Sequence, residues 1–335
     1  MSLKIAIIGT GIMGTDHARL FAQDLPHVQL HTICDVSEER AKAIAEQFGV
    51  PRAMTDAYAA VTSPEIDAVV IASPDDTHAP LTIAAIEAGK HVLCEKPLST
   101  SSEEGIKVME VESRLGRRLV QIGFMRRFDP SYTEMKSALT SGTVGQAVML
   151  HCYHRNVTAP ANFTGQMAIS NSAPHEFDAA RFVLDEEIAE ISVYQPKSLD
   201  TTKIGAPVFM VLETAAGRLV NVEINNNAHY GYDVRAELVG ELGSVFLRAP
   251  VHSETHTGLS AKLAYAPDWR PRFAEAYRLQ NKAWIQSILT GKPSVIGSSA
   301  WDGYCATRIA ETGVQALASG KRERVTLIEK PALYR

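Results

Sequence analysis

The run Lys4-Ile5-Ala6-Ile7-Ile8 followed by Gly9-Thr10-Gly11-Ile12-Met13-Gly14 constrains this chain more than any other stretch. A short apolar strand feeding a Gly-x-Gly-x-x-Gly turn, with a helical pattern from Ile12 to Ala22, opens a dinucleotide-binding unit. Gly9 permits the tight turn, Gly11 lets backbone approach a pyrophosphate, and Gly14 allows close helix packing. N–H groups of the first helical turn, where Ile12 and Met13 lie, face the phosphate anions. Asp35 ends the second predicted strand, twenty-one residues beyond Gly14, where a carboxylate accepts from both ribose hydroxyls. Two unit charges about 4 Å apart cost roughly 4 kcal/mol at an effective dielectric near 20, so Asp35 disfavours a 2′-phosphate. Val36 offers no compensating cation, although Arg40 lies within reach of a loop. NAD is therefore the expected cofactor.

The rhythm of the chain sets its architecture. Strands are predicted at Lys4–Ile8, Val28–Cys34, Ala68–Ala72, His91–Cys94 and Leu119–Gly123, separated by helices over Glu38–Phe48, Pro80–Ala88 and from Ser101 to about Leu115. That alternation implies a parallel α/β sheet of the doubly wound Rossmann kind. After Phe124 strand-like runs follow one another: Ala147–His154, Ile191–Gln195, Val208–Thr214, Leu219–Asn225, Asp233–Leu238 and Val245–Leu247. A few helices are expected among them, one near His175–Leu184 and one over Phe273–Leu289. The reading is a Rossmann domain over 1–123 and an α+β domain over 124–335, the latter built on a large, open, mainly antiparallel sheet.

Bulk properties narrow the functional classes. Hydrophobic residues make up 45% of the 335 and charged residues 21%, enough for a sizeable core. The net charge is −5, without a basic stripe for nucleic acid or a basic amphipathic helix for a membrane surface. Cys34, Cys94, Cys152 and Cys305 form no CxxC pair. Cys34 and Cys94, at the ends of predicted buried strands, read as small hydrophobes in a reducing compartment, and a cytoplasmic protein is expected. The histidines lack paired ligand spacing, so no metal is expected.

Oxidising a secondary alcohol needs a hydride path, a base for the hydroxyl proton, and positive charge near the developing alkoxide. Lys96, in Glu95-Lys96-Pro97 at the end of a predicted strand, sits on the ligand-holding edge of a parallel sheet and can supply the charge. Ser73, Pro74 and His78, after the third strand, form another wall of the same cleft or simply a turn and helix cap. The best base is His175 in Asn171-Ser172-Ala173-Pro174-His175-Glu176-Phe177-Asp178. Asn171, four residues earlier, falls on the same side of a helical turn.

These residues resemble the Gfo/Idh/MocA oxidoreductase family, and within it the inositol 2-dehydrogenase branch. The resemblance spans essentially the whole chain. It rests on the glycine turn, Gly14-Thr15-Asp16-His17, Glu95-Lys96-Pro97, and Gly123-Phe124-Met125-Arg126-Arg127-Phe128-Asp129-Pro130. His154-Arg155-Asn156, His175-Glu176-Phe177-Asp178, Tyr230-Gly231-Tyr232-Asp233 and Trp301-Asp302-Gly303-Tyr304 extend it. It implies NAD, with Glu95 and Lys96 beside the cofactor, and Lys96 and His175 as the active-site lysine and histidine. It also implies a polyol pocket lined by Arg127, Asn156, Asp178 and Tyr232, and a homotetramer joined through the C-terminal sheet. Arg127 reads equally as a packing or interface arginine, and Asp178 as a helix-internal hydrogen-bonding residue.

One departure stands out: the family's inositol enzymes usually carry Asp where this chain has Asn171. Three consequences are open: slower inositol oxidation, a related cyclitol or pyranose as substrate, or an altered pH profile. A catalytically silent NAD-binding sensor is the reading from another class.

Overall fold

The computed structural model describes residues 2–160, 162–196, 207–248 and 254–335. They divide into two compact units. The first joins Met1–Phe124 to Tyr277–Thr307 and Ile328–Arg335, and the second joins Met125–Ala276 to Arg308–Leu327. Two C-terminal stretches thus belong with the N-terminal unit, where the sequence reading kept 124–335 in one piece.

In the first unit, β1 (Leu3–Ile8), α1 (Ile12–Arg19), β2 (Val28–Cys34), α2 (Glu38–Phe48), β3 (Arg52–Met54) and α3 (Ala57–Thr62) come first. They are followed by β4 (Ala68–Ile71), α4 (His78–Glu87), β5 (His91–Cys94), α5 (Ser102–Leu115) and β6 (Val120–Ile122). The sheet order is β3-β2-β1-β4-β5-β6, with every pairing parallel. Order therefore reverses between β1 and β4, the point where such sheets hold dinucleotides. Local chemistry agrees with the fold. Ser37 and Ser101 cap α2 and α5 by accepting from Arg40 N and Glu104 N, and Gly49 and Gly116 end those helices in the left-handed conformation. All four residues of β4 are buried, as in a strand covered on both faces. Ile5, Ile7, Val70 and Leu93 pack with Phe21 and with Trp284, which the C-terminal stretch returns to this core. Each such side chain contributes roughly 1.5–3 kcal/mol by leaving water. Helix α1 stops at Arg19, earlier than expected, and a wider π-type turn, Leu20–Asp24, carries the chain on.

The second unit contains α6 (Pro130–Thr140), β7 (Ala147–Arg155), α7 (Gly165–Met167), α8 (Pro174–Leu184), β8 (Ile188–Tyr194), β9 (Val208–Thr214) and β10 (Leu219–Asn225). Strands β11 (Asp233–Gly240) and β12 (Ser244–Phe246) and the hairpin β13 (Glu254–Thr257) and β14 (Ser260–Leu263) follow. Helices α9 (Trp269–Thr290) and α10 (Ala300–Ser319) contribute residues to both units, and β15 (Glu323–Arg324) closes the set. The large sheet runs β12-β11-β7-β10-β9-β8-β15. Only β7 with β10 is parallel among its pairings, so the sheet is mixed and mainly antiparallel. One face is covered: Leu150, Cys152, Val220, Val222 and Ile224 are buried, as is every residue of α8. The other face leaves Tyr194, Phe209 and Leu219 exposed.

Candidate active site

The cofactor edge of the first unit is built at strand C-termini. Gly9 has φ +94°, and a Cβ there would strike the Ala72 carbonyl, so only glycine fits where β1 turns beside β4. A Cβ on Gly14 would likewise meet the Gly9 carbonyl. At Gly11, in contrast, no atom lies within 4 Å of the Cβ position. That open space is where a pyrophosphate can approach the backbone, so these residues fit a dinucleotide. Asp35 accepts from Thr10 N at 2.8 Å, Thr10 Oγ1 at 2.6 Å, Ser37 N at 2.9 Å and Arg40 at 2.8 Å. Burial opposes its ionisation, but these donors outweigh it and lower the carboxyl to about 2. The acid is thus fixed as an anion, and Arg40 is paired with it.

Lys96 follows β5 and is half-buried. Glu95, before it, is buried, with His17 Nε2 at 2.9 Å from its Oε1 and the Lys96 amide donating to its Oε2 at 3.3 Å. Asn281 faces the other His17 nitrogen at 2.9 Å. With the amide NH2 donating there, the His17 proton sits on Nε2 and is given to Glu95. A chain from Asn281 through His17 to Glu95 therefore anchors the backbone from which Lys96 projects.

His78 ties two loops. Its Nδ1 lies 2.6 Å from Pro97 O and its Nε2 2.9 Å from Ser73 O. A carbonyl oxygen only accepts, so both ring nitrogens must donate and the ring is an imidazolium. Burial opposes that charge, but the Cys94 sulfur and the two carbonyls outweigh it and push the group up to about 10. Ser73 also bonds Thr77 Oγ1 at 2.6 Å, while Pro74 O accepts from Thr77. In this structure any service of His78 to a cofactor runs through the loops it joins.

The second unit holds a cavity of about 540 Å³. Asn156, Asn171 and Tyr232 line it, together with Ser172, Asn226 and Trp269. Asn156 donates to Asn226 Oδ1 at 2.7 Å, and Asn226 donates to Ser172 Oγ at 3.1 Å. The polar part of the wall is thus amides and hydroxyls with one carboxylate, Asp268, which accepts from Arg270, while Val157, Pro160, Phe163 and Met167 supply an apolar part. Asn171 stands on a π-type turn, Ala168–Ser172, closed by the bond from Ala173 N to Ala168 O at 3.0 Å. Pro174 then starts α8, which puts His175 in the first turn with its ring centroid 6.4 Å from that of His154.

Beneath His175 lies a buried ion cluster. Arg126 bonds Glu176, and His154 Nδ1 lies 3.0 Å from Glu176 Oε1. Burial opposes the Glu176 charge, but Arg126 and His154 keep it below the ordinary carboxylate range. Arg127 and Asp178 form a second buried pair, at 2.9 and 2.6 Å, with the Arg127 guanidinium over the Phe182 ring. These two side chains stand outside the cavity wall and hold each other.

The structure thus brings the glycine turn, Asp35, Ser73, Pro74, Glu95 and Lys96 to one edge of the first unit, and Asn156, Asn171 and Tyr232 to one cavity in the second. Asn226, His17 and Asn281 were not anticipated. The one trace of Asn226 in the sequence is the triplet Asn225-Asn226-Asn227, a poor continuation of a strand.

A Rossmann edge with a fixed lysine, and a separate amide-lined cavity, define a nicotinamide-dependent oxidoreductase. Residues 3–124 match the oxidoreductase family with an NAD-binding Rossmann fold, and residues 132–246 match the Gfo/Idh/MocA C-terminal domain. The chain belongs to the Gfo/Idh/MocA family and uses NAD. It is 43% identical to inositol 2-dehydrogenase 1 of Saccharopolyspora erythraea, covering 100% of this chain and 99% of that one. It is 42% identical to inositol 2-dehydrogenase of Streptomyces avermitilis, covering 99% and 97%. Among solved structures it resembles myo-inositol dehydrogenase from Lactobacillus casei in complex with NAD(H) and myo-inositol. That match has a TM-score of 0.94, 27% identity and full coverage of both chains.

Proposed function

We propose that this protein oxidises one secondary hydroxyl of myo-inositol to the inosose, the first unit holding NAD and the second the cyclitol. The observation that carries the reading is the set of amides and hydroxyls in the wall of the second cavity, where the carboxylate Asp268 is held by Arg270. A ring of hydroxyls presents alternating donors and acceptors, which Asn156, Asn226, Ser172 and Tyr232 match without a charge clamp. The full-length likeness to inositol 2-dehydrogenases supports the same substrate.

NAD, which the glycine turn and Asp35 would hold, would supply the acceptor for the carbinol hydride. Lys96 donates a hydrogen bond to the reacting oxygen and stabilises the negative charge that grows as the C–H bond breaks. His175 takes the hydroxyl proton, so hydride and proton leave together and a ketone remains. The chain from Asn281 through His17 to Glu95 holds the Lys96 backbone, and the imidazolium of His78 keeps the neighbouring loops in register. Asn171 can orient the imidazole but brings no negative charge to favour its protonated form. Oxidation is therefore expected to be slower than with aspartate at this position.

The exposed apolar face of the large sheet, with Tyr194, Phe209 and Leu219, fits a homotetramer joined through that sheet. Light scattering on the purified chain tests this. For the activity, the test is NADH formation across a panel of inositol isomers and pyranoses. Fastest turnover on myo-inositol is expected. Preference for another isomer or a pyranose would move the assignment to that substrate, and NAD binding without reduction on any of them would favour the sensor reading.

A further inference from the structure

We infer that the first unit carries a second ligand site, at the edge of its sheet opposite the cofactor turn, that takes a small organic phosphate. A cavity of about 360 Å³ opens there, within the usual size range of small-molecule sites. His91 and Val120, which line it, are the first residues of β5 and β6. Glu95 and Lys96 follow the other end of β5, four residues long, so at about 3.3 Å per residue the two sites stand more than ~13 Å apart.

The lining is matched to an acceptor. Arg117, Arg118, His91, Gln121 and Ser294 contribute to it, and no Asp or Glu does. Among the described residues neither guanidinium has an ion pair or a side-chain hydrogen bond. Gln121 is 7% exposed, and its amide nitrogen is buried without an acceptor. A buried donor left unmade costs about 1–3 kcal/mol, which an anionic oxygen would relieve. The Ser294 hydroxyl accepts from Gly297 N at 3.2 Å and keeps its own proton to give. Burial and then Arg117 lower His91, leaving a neutral ring with one N–H donor.

Glu112, which senses the Arg118 charge, is already committed. Its Oε1 accepts from Leu119 N at 2.5 Å and Val120 N at 2.8 Å, and its Oε2 from the Tyr334 hydroxyl at 2.5 Å. The Ser287 and Ser298 hydroxyls likewise donate to Trp284 O and Ile122 O. What remains is a set of donors around two cations. A phosphate monoester, with about −1.5 to −2 charge and three strong acceptor oxygens, satisfies that set better than a lone carboxylate. The Trp284 and Ile288 side of the cavity accommodates the carbon skeleton.

The test is calorimetric titration of the full chain, saturated with NAD to block the pyrophosphate cradle, with inorganic phosphate and then glycerol phosphate. Citrate and sodium chloride at matched ionic strength serve as comparisons. Saturable binding in the millimolar range or tighter is expected, with glycerol phosphate ahead of citrate. The Arg117→Ala/Arg118→Ala variant should weaken it about tenfold or more, since both charge-assisted partners are lost. Gln121→Leu should weaken it less while NAD affinity stays unchanged in both variants. No saturable binding, equal binding by the double arginine variant, or citrate binding as tightly as glycerol phosphate would each overturn the proposal.

Discussion

Along the cofactor edge of the first unit, the groups that face a ligand are backbone amides and one carboxylate, Asp35, held by four hydrogen bonds. In the second unit's cavity they are side-chain amides and hydroxyls drawn from the residue after β7, the turn before α8, the segment after β10 and the residue before β11, with Asp268 from just before α9. The first arrangement recognises a charged, conserved shape, a pyrophosphate and a ribose. The second relies on neutral groups beside a carboxylate, Asp268, that Arg270 already pairs, and a change at one of the neutral positions alters hydrogen-bonding order without burying a naked charge. Cofactor choice should therefore resist substitution, while substrate choice should drift easily.

The sharpest break in that comparison is chemical. Lys96→Ala should lower kcat about 10³-fold, the scale of removing a preorganised donor to a developing oxyanion. NAD affinity, measured by fluorescence titration, should hardly move, because the glycine turn and Asp35 are untouched. His175→Gln should cost about 10²–10⁴ in kcat and erase the acidic limb of the pH–rate profile. If either variant retained full turnover, the proposed division of labour between the two units would fail.

The next effect is on stability. Arg126→Met leaves Glu176, 0% exposed, without its guanidinium. Stranding one partner of a buried pair typically costs about 3–5 kcal/mol, so urea denaturation should shift by that amount. Arg126→Met/Glu176→Gln should recover much of the loss, which would place the penalty in the uncompensated charge.

A smaller effect is expected at the cofactor edge. Asp35→Asn should raise KM for NAD about tenfold and narrow the preference over NADP, since about 4 kcal/mol of repulsion disappears at short range. It should also change acid sensitivity. The folded carboxyl titrates at about 2 against an unperturbed 3.8, so it adds stability above pH 3.8 that is lost as pH falls toward 2. Asp35→Asn should lack that component of acid unfolding, followed by circular dichroism.

The same contrast explains what the sequence disclosed. The cofactor edge was legible because its requirements are local: a glycine where φ is positive, another where no side chain fits, and an acid at the end of the adjacent strand. Elements with weak local signals were missed. The three-residue strand β3 pairs only with β2, and α10 is a long alanine-containing helix that the motif Trp301-Asp302-Gly303-Tyr304 did not reveal as one. The parallel pairing of β7 with β10 was also hidden, since register between distant strands is set by packing and not by alternation. In the cavity, Asn156 and Asn226 meet only because that pairing brings the ends of β7 and β10 together, Asn156 N donating to Asn225 O at 2.9 Å.

The gentlest test concerns Asn171. The polar residues that share its cavity are amides, hydroxyls and Asp268, which is bonded to Arg270, and Glu176, one residue beyond His175, is tied to Arg126 and His154. Both carboxylates are thus already held by arginines. Asn171→Asp keeps size and hydrogen-bonding shape while adding a charge that stabilises imidazolium as the hydroxyl proton arrives. With one positioned carboxylate worth roughly 1 kcal/mol in a partly solvated site, kcat on myo-inositol should rise about fivefold. The rise should be larger at low pH, where a weak base limits turnover, while KM for NAD stays constant. Unchanged kinetics across pH would mean that the proton leaves His175 by a path that never passes this position, and the amides and hydroxyls of the wall would then be a device for substrate choice alone.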